Sequence, residues 1–401
     1  MTVSTSPSGT EARASHASAP ARASALGPWL WSVRVDLGVF AGSAAFALLC
    51  VFGMRALGIA PGSLPPWAWL VFVVGIDVSH VYSTLFRTYL DGEELARHRA
   101  RYLAVPLIAY GIGVALYAVG ALWFWRVLAY VAVFHFIRQQ VGWVALYRAR
   151  AAAQWRDQAQ GNGEAARREV ERRQRVDKLI DEVTVYAATL FPIVHWHANL
   201  AHTRFTWFVQ GDFVDVSGVA TAALPVARAI WVAALIVFAL RQLWLVKQEG
   251  VIQLGKCVVV ATTALTWYVG IVATNSDAEF TVTNVVVHGV PYMALLYFYG
   301  QARRREAPHQ PGSQLLVGGL LAFAGSLLLL AFVEELIWDR LVWKDNPWLF
   351  GASDIQLAPW ALCLLVPLLS LPQFTHYLLD GVLWRRQDTR ENAAQRAAIG
   401  M

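Results

Sequence analysis

WAWLVFVVGIDVSHVYSTLFRTYL, residues 67–90, decides how this chain folds. Trp67 to Ile76 contain no polar side chain, and the whole stretch is long enough to cross a ~30 Å hydrocarbon core as a helix. Asp77, His80, Thr84 and Arg87 then interrupt it. At 100° per residue Asp77 and His80 fall about 60° apart, and Thr84 sits one turn further on the same side, so one helix face is polar. An ionisable side chain at membrane depth costs roughly 2.5 kcal/mol or more, and a face of this kind is expected to look onto something polar that it serves.

The rest of the chain repeats the pattern. Hydrophobic residues make up 57% of the 401 and charged residues only 15%, with 18 tryptophans, a composition that would leave a water-facing globule insoluble. Ten apolar stretches are expected to be spans: Val35–Ile59, Trp67–Leu90, Tyr102–Leu122, Trp125–Tyr147, Leu179–Asn199, Gly218–Leu245, Ile252–Thr274, Phe280–Gly300, Leu315–Phe332 and Leu357–Trp384. The reading is an all-α, polytopic integral membrane protein of about ten helices.

Charge gives the orientation. Arg97, Arg99 and Arg101 follow the second stretch, Arg148 through Lys178 the fourth, Arg241 and Lys247 the sixth, and Arg303 to Arg305 the eighth. Cytoplasmic loops retain Lys and Arg, so these loops are expected inside, together with both termini. The loops 61–66, 211–217 (Asp212, Asp215), 275–279 (Asp277, Glu279) and 334–354 are expected outside. The chain is placed in a bacterial inner (plasma) membrane. Residues 1–28, rich in Ala, Ser, Thr and Pro, read as a disordered cytoplasmic tail, residues 29–386 as one transmembrane domain, and 387–401 as a second tail. Within the domain, residues 148–178 read as a solvated cytoplasmic insert with a turn at Gly161-Asn162-Gly163, followed by oppositely charged residues four apart on a helix. Cys50, Cys257 and Cys363 lack the spacing of a zinc or redox motif.

His80, His135, His288 and His376 each occupy a different apolar stretch. Counting at about 1.5 Å per residue puts the first three near mid-membrane and His376 towards the cytoplasmic side, close enough for one common site. Asp77 precedes His80 and Asp380 follows His376 by about a turn, so each can ligate a metal or accept the second imidazole N–H. These six are the candidate metal ligands. His195 and His197, with His202 nearby, form a second candidate set near the outer face, weighed evenly against ordinary interfacial histidines. Arg138, Tyr292 and Tyr377 lie beside the mid-membrane histidines and are the candidate catalytic groups, with Arg138 expected to pair with Asp77 or Asp380.

Nitrogen and oxygen ligands without thiolate suit iron, copper or zinc, and several His with Asp on facing helices suit a non-haem di-iron centre. With single histidines on several spans and acidic residues soon after, the chain resembles histidine-rich membrane oxygenases, desaturases and hydroxylases, though it lacks their His-x-x-His-His boxes. It is similar also to the Brp/Blh-type carotene-cleaving dioxygenases at His80, at Phe134-His135-Phe136, at His288 and at Leu371 to His376 with Asp380. The resemblance implies metal-dependent oxygenation of a lipid or isoprenoid, a hydrophobic small-molecule substrate reached through membrane lipid. An acidic cytosolic electron donor would meet the basic loops, and no nucleic acid is expected as a partner. Two other classes stand beside this one: a haem-binding electron-transfer protein, and a proton- or ion-coupled transporter.

Overall fold

The computed structural model describes residues 26–158, 163–206, 208, 211–384 and 396. The described residues are helical, with no strand; the sole β-type pairing among them is an isolated bridge between Arg204 and Ser276. We number the ten long helices α1 Val33–Ala56, α2 Pro66–Arg87, α3 Arg99–Val119, α4 Ala121–Arg156, α5 Gly163–Ala198, α6 Ser217–Gln248, α7 Leu254–Ala273, α8 Asp277–Glu306, α9 Pro311–Trp343 and α10 Pro359–Leu383.

Nine of these are long and apolar enough to cross a membrane, one fewer than expected. The exception is α5. It contains the expected fifth span, but Asp181, Glu182 and the histidines at its end dilute the apolar run. Two further boundaries move. The insert 148–178 is no separate element: α4 and α5 continue through it as long paired helices, and Arg168 bonds Glu164 at 2.6 Å as a four-residue charge pair. The turn at 161–163 falls largely outside the described residues, as do residues 1–25 and nearly all of 387–401. The ninth span does not stop at Phe332. Its helix runs on to Trp343, so Glu334, Glu335 and Asp339, expected in an exterior loop, are buried on α9.

α8 is the hub. Its apolar window is 78% buried against 11% for α6, and it packs against α1, α2, α4 and α7. Around it, α2 and α4 are closed into a ring by α10, which touches both. Peripheral helices turn bulky side chains outward, among them Leu107 and Ile108 on α3, Val219 and Leu243 on α6, and Leu321 and Leu329 on α9. Such an apolar girdle around a polar centre is what a lipid solvent favours.

Two sets of loops meet at opposite ends of the bundle. Asp91, after α2, receives Arg303 of α8 at 2.8 Å and the Tyr299 hydroxyl at 2.7 Å. At the other end the backbone of Gly62, after α1, donates to Glu279 at the start of α8 at 3.2 Å, and Arg204, after α5, bridges to Ser276. The loops that alternate in charge therefore also alternate in place.

Candidate metal centre

The four mid-chain histidines come from α2, α4, α8 and α10, the four helices of the ring. Their imidazoles form a closed quadrilateral. Ring centroids are 4.7 Å apart for His80 and His288, 4.9 Å for His288 and His135, 4.7 Å for His135 and His376, and 5.0 Å for His376 and His80. Each side follows a pair of packed helices. All four residues are buried.

Local backbone features aim them. Residues Leu70–Val78 of α2 are π-helical, a geometry that is rare except as short insertions, frequently at functional sites. The hydroxyl of Ser79 donates to the Val74 carbonyl at 2.7 Å, covering an acceptor in the widened turn. On α8, Gly289 adjoins His288 and faces α2: a Cβ there would lie 2.9 Å from Ile76 Cγ2 and 3.3 Å from His80 Cβ. The missing side chain lets the two helices approach until His80 and His288 touch.

The two nitrogens of each ring have different surroundings. His376 Nδ1 is 2.7 Å from Thr84 Oγ1, which in turn is 3.2 Å from the Tyr292 hydroxyl. His80 Nδ1 is 3.3 Å from the Ile76 carbonyl and 3.7 Å from Asp77 Oδ1. His135 Nδ1 lies 3.9 Å from Asp380 Oδ2, a contact longer than a hydrogen bond. The Nε2 atoms are buried. His80 Nε2 and His288 Nε2 face each other at 3.1 Å, while His135 Nε2 and His376 Nε2 are buried without a partner. Ligand atoms of His80, His288 and His376 all lie within 4.8 Å of one another; His135 is not part of that triad, though its ring packs against those of His288 and His376.

Buried nitrogen lone pairs with nothing to accept are costly, about 1–3 kcal/mol each, and rare. A cation at the centre would satisfy them together. With metal–nitrogen bonds of about 2.0–2.1 Å, two adjacent ligands on one ion stand about 2.9–3.4 Å apart, and 3.1 Å falls in that interval. Thr84 then sits behind the His376 ring as a hydrogen-bonding partner that orients it, a partnership usual at histidine metal sites, while Asp77 and Asp380 lie behind the His80 and His135 rings at 3.7 and 3.9 Å, beyond hydrogen-bond distance. Phe136, 4.5 Å from the His288 ring, and Tyr377, 4.7 Å from the His135 ring, complete the wall.

Other candidates lie elsewhere. Among the described residues Arg138 takes no carboxylate: it is exposed on the flank of α4 and donates to the Tyr186 hydroxyl of α5 at 2.7 Å. His197 is engaged on both nitrogens, with Ile193 O at 2.9 Å and the Tyr130 hydroxyl at 2.8 Å. Neither it nor His195 joins a ligand group among the described residues.

A layer of carboxylates went unread in the sequence. Glu334 and Glu335 of α9 interact electrostatically with Asp77, and Glu335 also with Asp339. Trp338 Nε1 donates to Glu334 Oε1 at 3.3 Å, while Glu334 Oε2 is buried without a partner. The signal was Glu334-Glu335 followed by Leu336-Ile337-Trp338, which resumes the apolar run.

No known protein family, curated protein or solved structure matches this chain.

Proposed function

We propose that the four imidazoles hold a single non-haem iron ion and that the chain is a membrane-embedded oxygenase, hydroxylase or desaturase of a lipid-soluble substrate, with an isoprenoid as the leading class. The buried Nε2 atoms carry this reading: those of His80 and His288 are 3.1 Å apart, and those of His135 and His376 have no partner. Cys50, Cys257 and Cys363 are outside the group, so the donor set is nitrogen alone, which suits iron, copper or zinc. One cage of this size favours one ion over two. Haem fits poorly, since axial histidines across a porphyrin stand about 4 Å apart at their nitrogens, twice a bond of about 2.0 Å.

When bound, iron supplies one-electron and dioxygen chemistry. The chain's own contribution is placement and exclusion. Thr84 holds the His376 ring; Phe136 and the packed helices keep water out; the Tyr292 hydroxyl, near Asp380 and Thr84, holds a proton one ring away from His376. Apolar helix faces around the cage suit a substrate arriving from lipid. A bacterial inner membrane, with both termini in the cytoplasm, agrees with the segregation of basic loops at the end where Asp91 meets Arg303. Arg303 is occupied there by Asp91 and Glu93, which leaves the exposed Arg97, Arg99 and Arg305 for an acidic electron donor.

Metal analysis of the purified protein tests the reading. About one iron per chain, lost in His135→Ala and His376→Ala, is the expected result. A strong Soret band would establish a cytochrome. The buried carboxylates of Glu334 and Glu335, with the partly buried Asp77 beside them, favour a proton-coupled transporter as the second reading, and metal-free protein that accumulates solute down a proton gradient in liposomes would establish that one instead.

A further inference from the structure

A cavity of about 550 Å³ lies at the end of the bundle where the loops after α1, α5 and α7 converge. It is lined by Arg55, Pro61, His202, Arg204, Thr274 and Asn275, among others. Volumes of about 300–1,000 Å³ are those of small-ligand sites. Two guanidinium groups and an imidazole in one cavity, at the level where three helices leave the apolar zone, make it a cationic recess at an interface.

The walls are held independently of any ligand. Arg204 is fixed by its bridge to Ser276, with its amide 3.3 Å from Asn275 O, and by its NH1 group on Pro61 O at 3.0 Å. Asn275 has φ of 48°, a left-handed conformation uncommon for a residue with a side chain. Arg55 reaches in from the end of α1. One carboxylate is close: Glu279 contacts Arg55 NH2 at 3.3 Å, but both its oxygens also accept from the amide of Gly62, at 3.3 and 3.2 Å. Arg55 Nε is buried and has no partner. The positive charge of the recess is thus only partly answered from within the protein.

We propose that this recess binds the phosphate of an anionic head group, taken from a phospholipid of the surrounding leaflet or from a soluble phosphate ester, with Arg55 and Arg204 as its cationic partners and His202 at its rim. Guanidinium groups form charge-assisted hydrogen bonds to phosphate oxygens, which makes two of them in one recess a fit for a phosphate. The site is distinct from the histidine cage and stands whether or not that cage holds iron.

Native mass spectrometry of the full chain, released from vesicles of phosphatidylglycerol, reads lipid retention directly. Thermal unfolding in lipid-free detergent, with and without inorganic phosphate, reads the soluble source. Arg204→Gln should lower retention or the phosphate response by about tenfold or more. His202→Glu, an exposed position, should do the same by placing a carboxylate at the rim without disturbing the fold. Retention from vesicles with no response to phosphate names a lipid as the source, and a phosphate-dependent shift names a soluble one. Unchanged retention and unchanged phosphate response in both variants, each still folded, overturn the proposal.

Discussion

Replacing Gly289 by alanine tests whether the close approach of α2 and α8 brings the imidazoles together. The added Cβ would sit 2.9 Å from Ile76 Cγ2 and 3.3 Å from His80 Cβ. Non-bonded carbons prefer about 3.5–4.0 Å, so the helices must part by about 0.6 Å or more at that level. Ile76 offers little relief, since a β-branched side chain on a helix has one strongly preferred rotamer. Overpacking of this kind costs about 1–3 kcal/mol. The opening falls where His80 Nε2 and His288 Nε2 stand 3.1 Å apart, and widening that gap by a similar amount takes it past the roughly 2.9–3.4 Å of adjacent ligands on one ion. Metal affinity should fall about 10–100-fold, as for the loss of an orienting group. Metal retention after graded chelator treatment and the thermal midpoint are measured together. Adding Ile76→Ala removes the clashing methyl, so metal retention should return while stability stays reduced by the vacated volume. The reasoning is refuted if Gly289→Ala keeps both wild-type metal retention and wild-type midpoint, or if Ile76→Ala leaves the metal defect untouched.

Thr84→Val removes the 2.7 Å contact to His376 Nδ1 with almost no change of shape; chelator titration should show metal affinity reduced about 10–100-fold in a folded protein, and undiminished affinity would deny Thr84 an orienting role. His197→Phe breaks the bond to the Tyr130 hydroxyl, and the expected outcome is a loss of about 1 kcal/mol in stability with full metal content; metal loss there would move the centre to the second histidine set. Lys256, fully buried, is 3.1 Å from Asp181, so Lys256→Met leaves that carboxylate to Arg148 alone, and denaturant unfolding should register a cost of about 3 kcal/mol, with a neutral result showing that the pair contributes little. In a variant lacking Cys50, Cys257 and Cys363, a cysteine at Arg167 should be labelled only from the cytoplasmic side and one at Asp215 only from outside; the reverse pattern would invert the proposed orientation.

The residues that matter most at the cage were legible early because apolar context makes an ionisable group expensive. His80, His135, His288 and His376 stood out for that reason alone, and helical spacing tied Asp77 to His80 and Asp380 to His376. The same reasoning lost Glu334, Glu335 and Asp339. A hydropathy reading ends a span at the first pair of charges, and it cannot see that α9 continues past them packed against α2. Arg138 shows a related blindness: its place beside His135 points to a carboxylate partner, whereas the fold leaves it exposed on the flank of α4 beside Tyr186.

Composition and period by themselves determined that the chain is helical, that most of its helices are apolar enough to cross a membrane, and which face of each carries polar groups. Those properties are local, set by side-chain hydrophobicity and by a repeat of 3.6 residues. The tertiary structure decided which faces meet. Four helices distant in sequence close into one ring around His80, His135, His288 and His376, with the Nδ1 atoms of three rings turned towards Thr84, Asp77 and Asp380 and the Nε2 atoms of His135 and His376 buried without a partner. That choice rests on packing, on a glycine where a methyl would collide and on a π-helical segment that re-aims the α2 face, and packing is a property of pairs of helices that no single helix encodes.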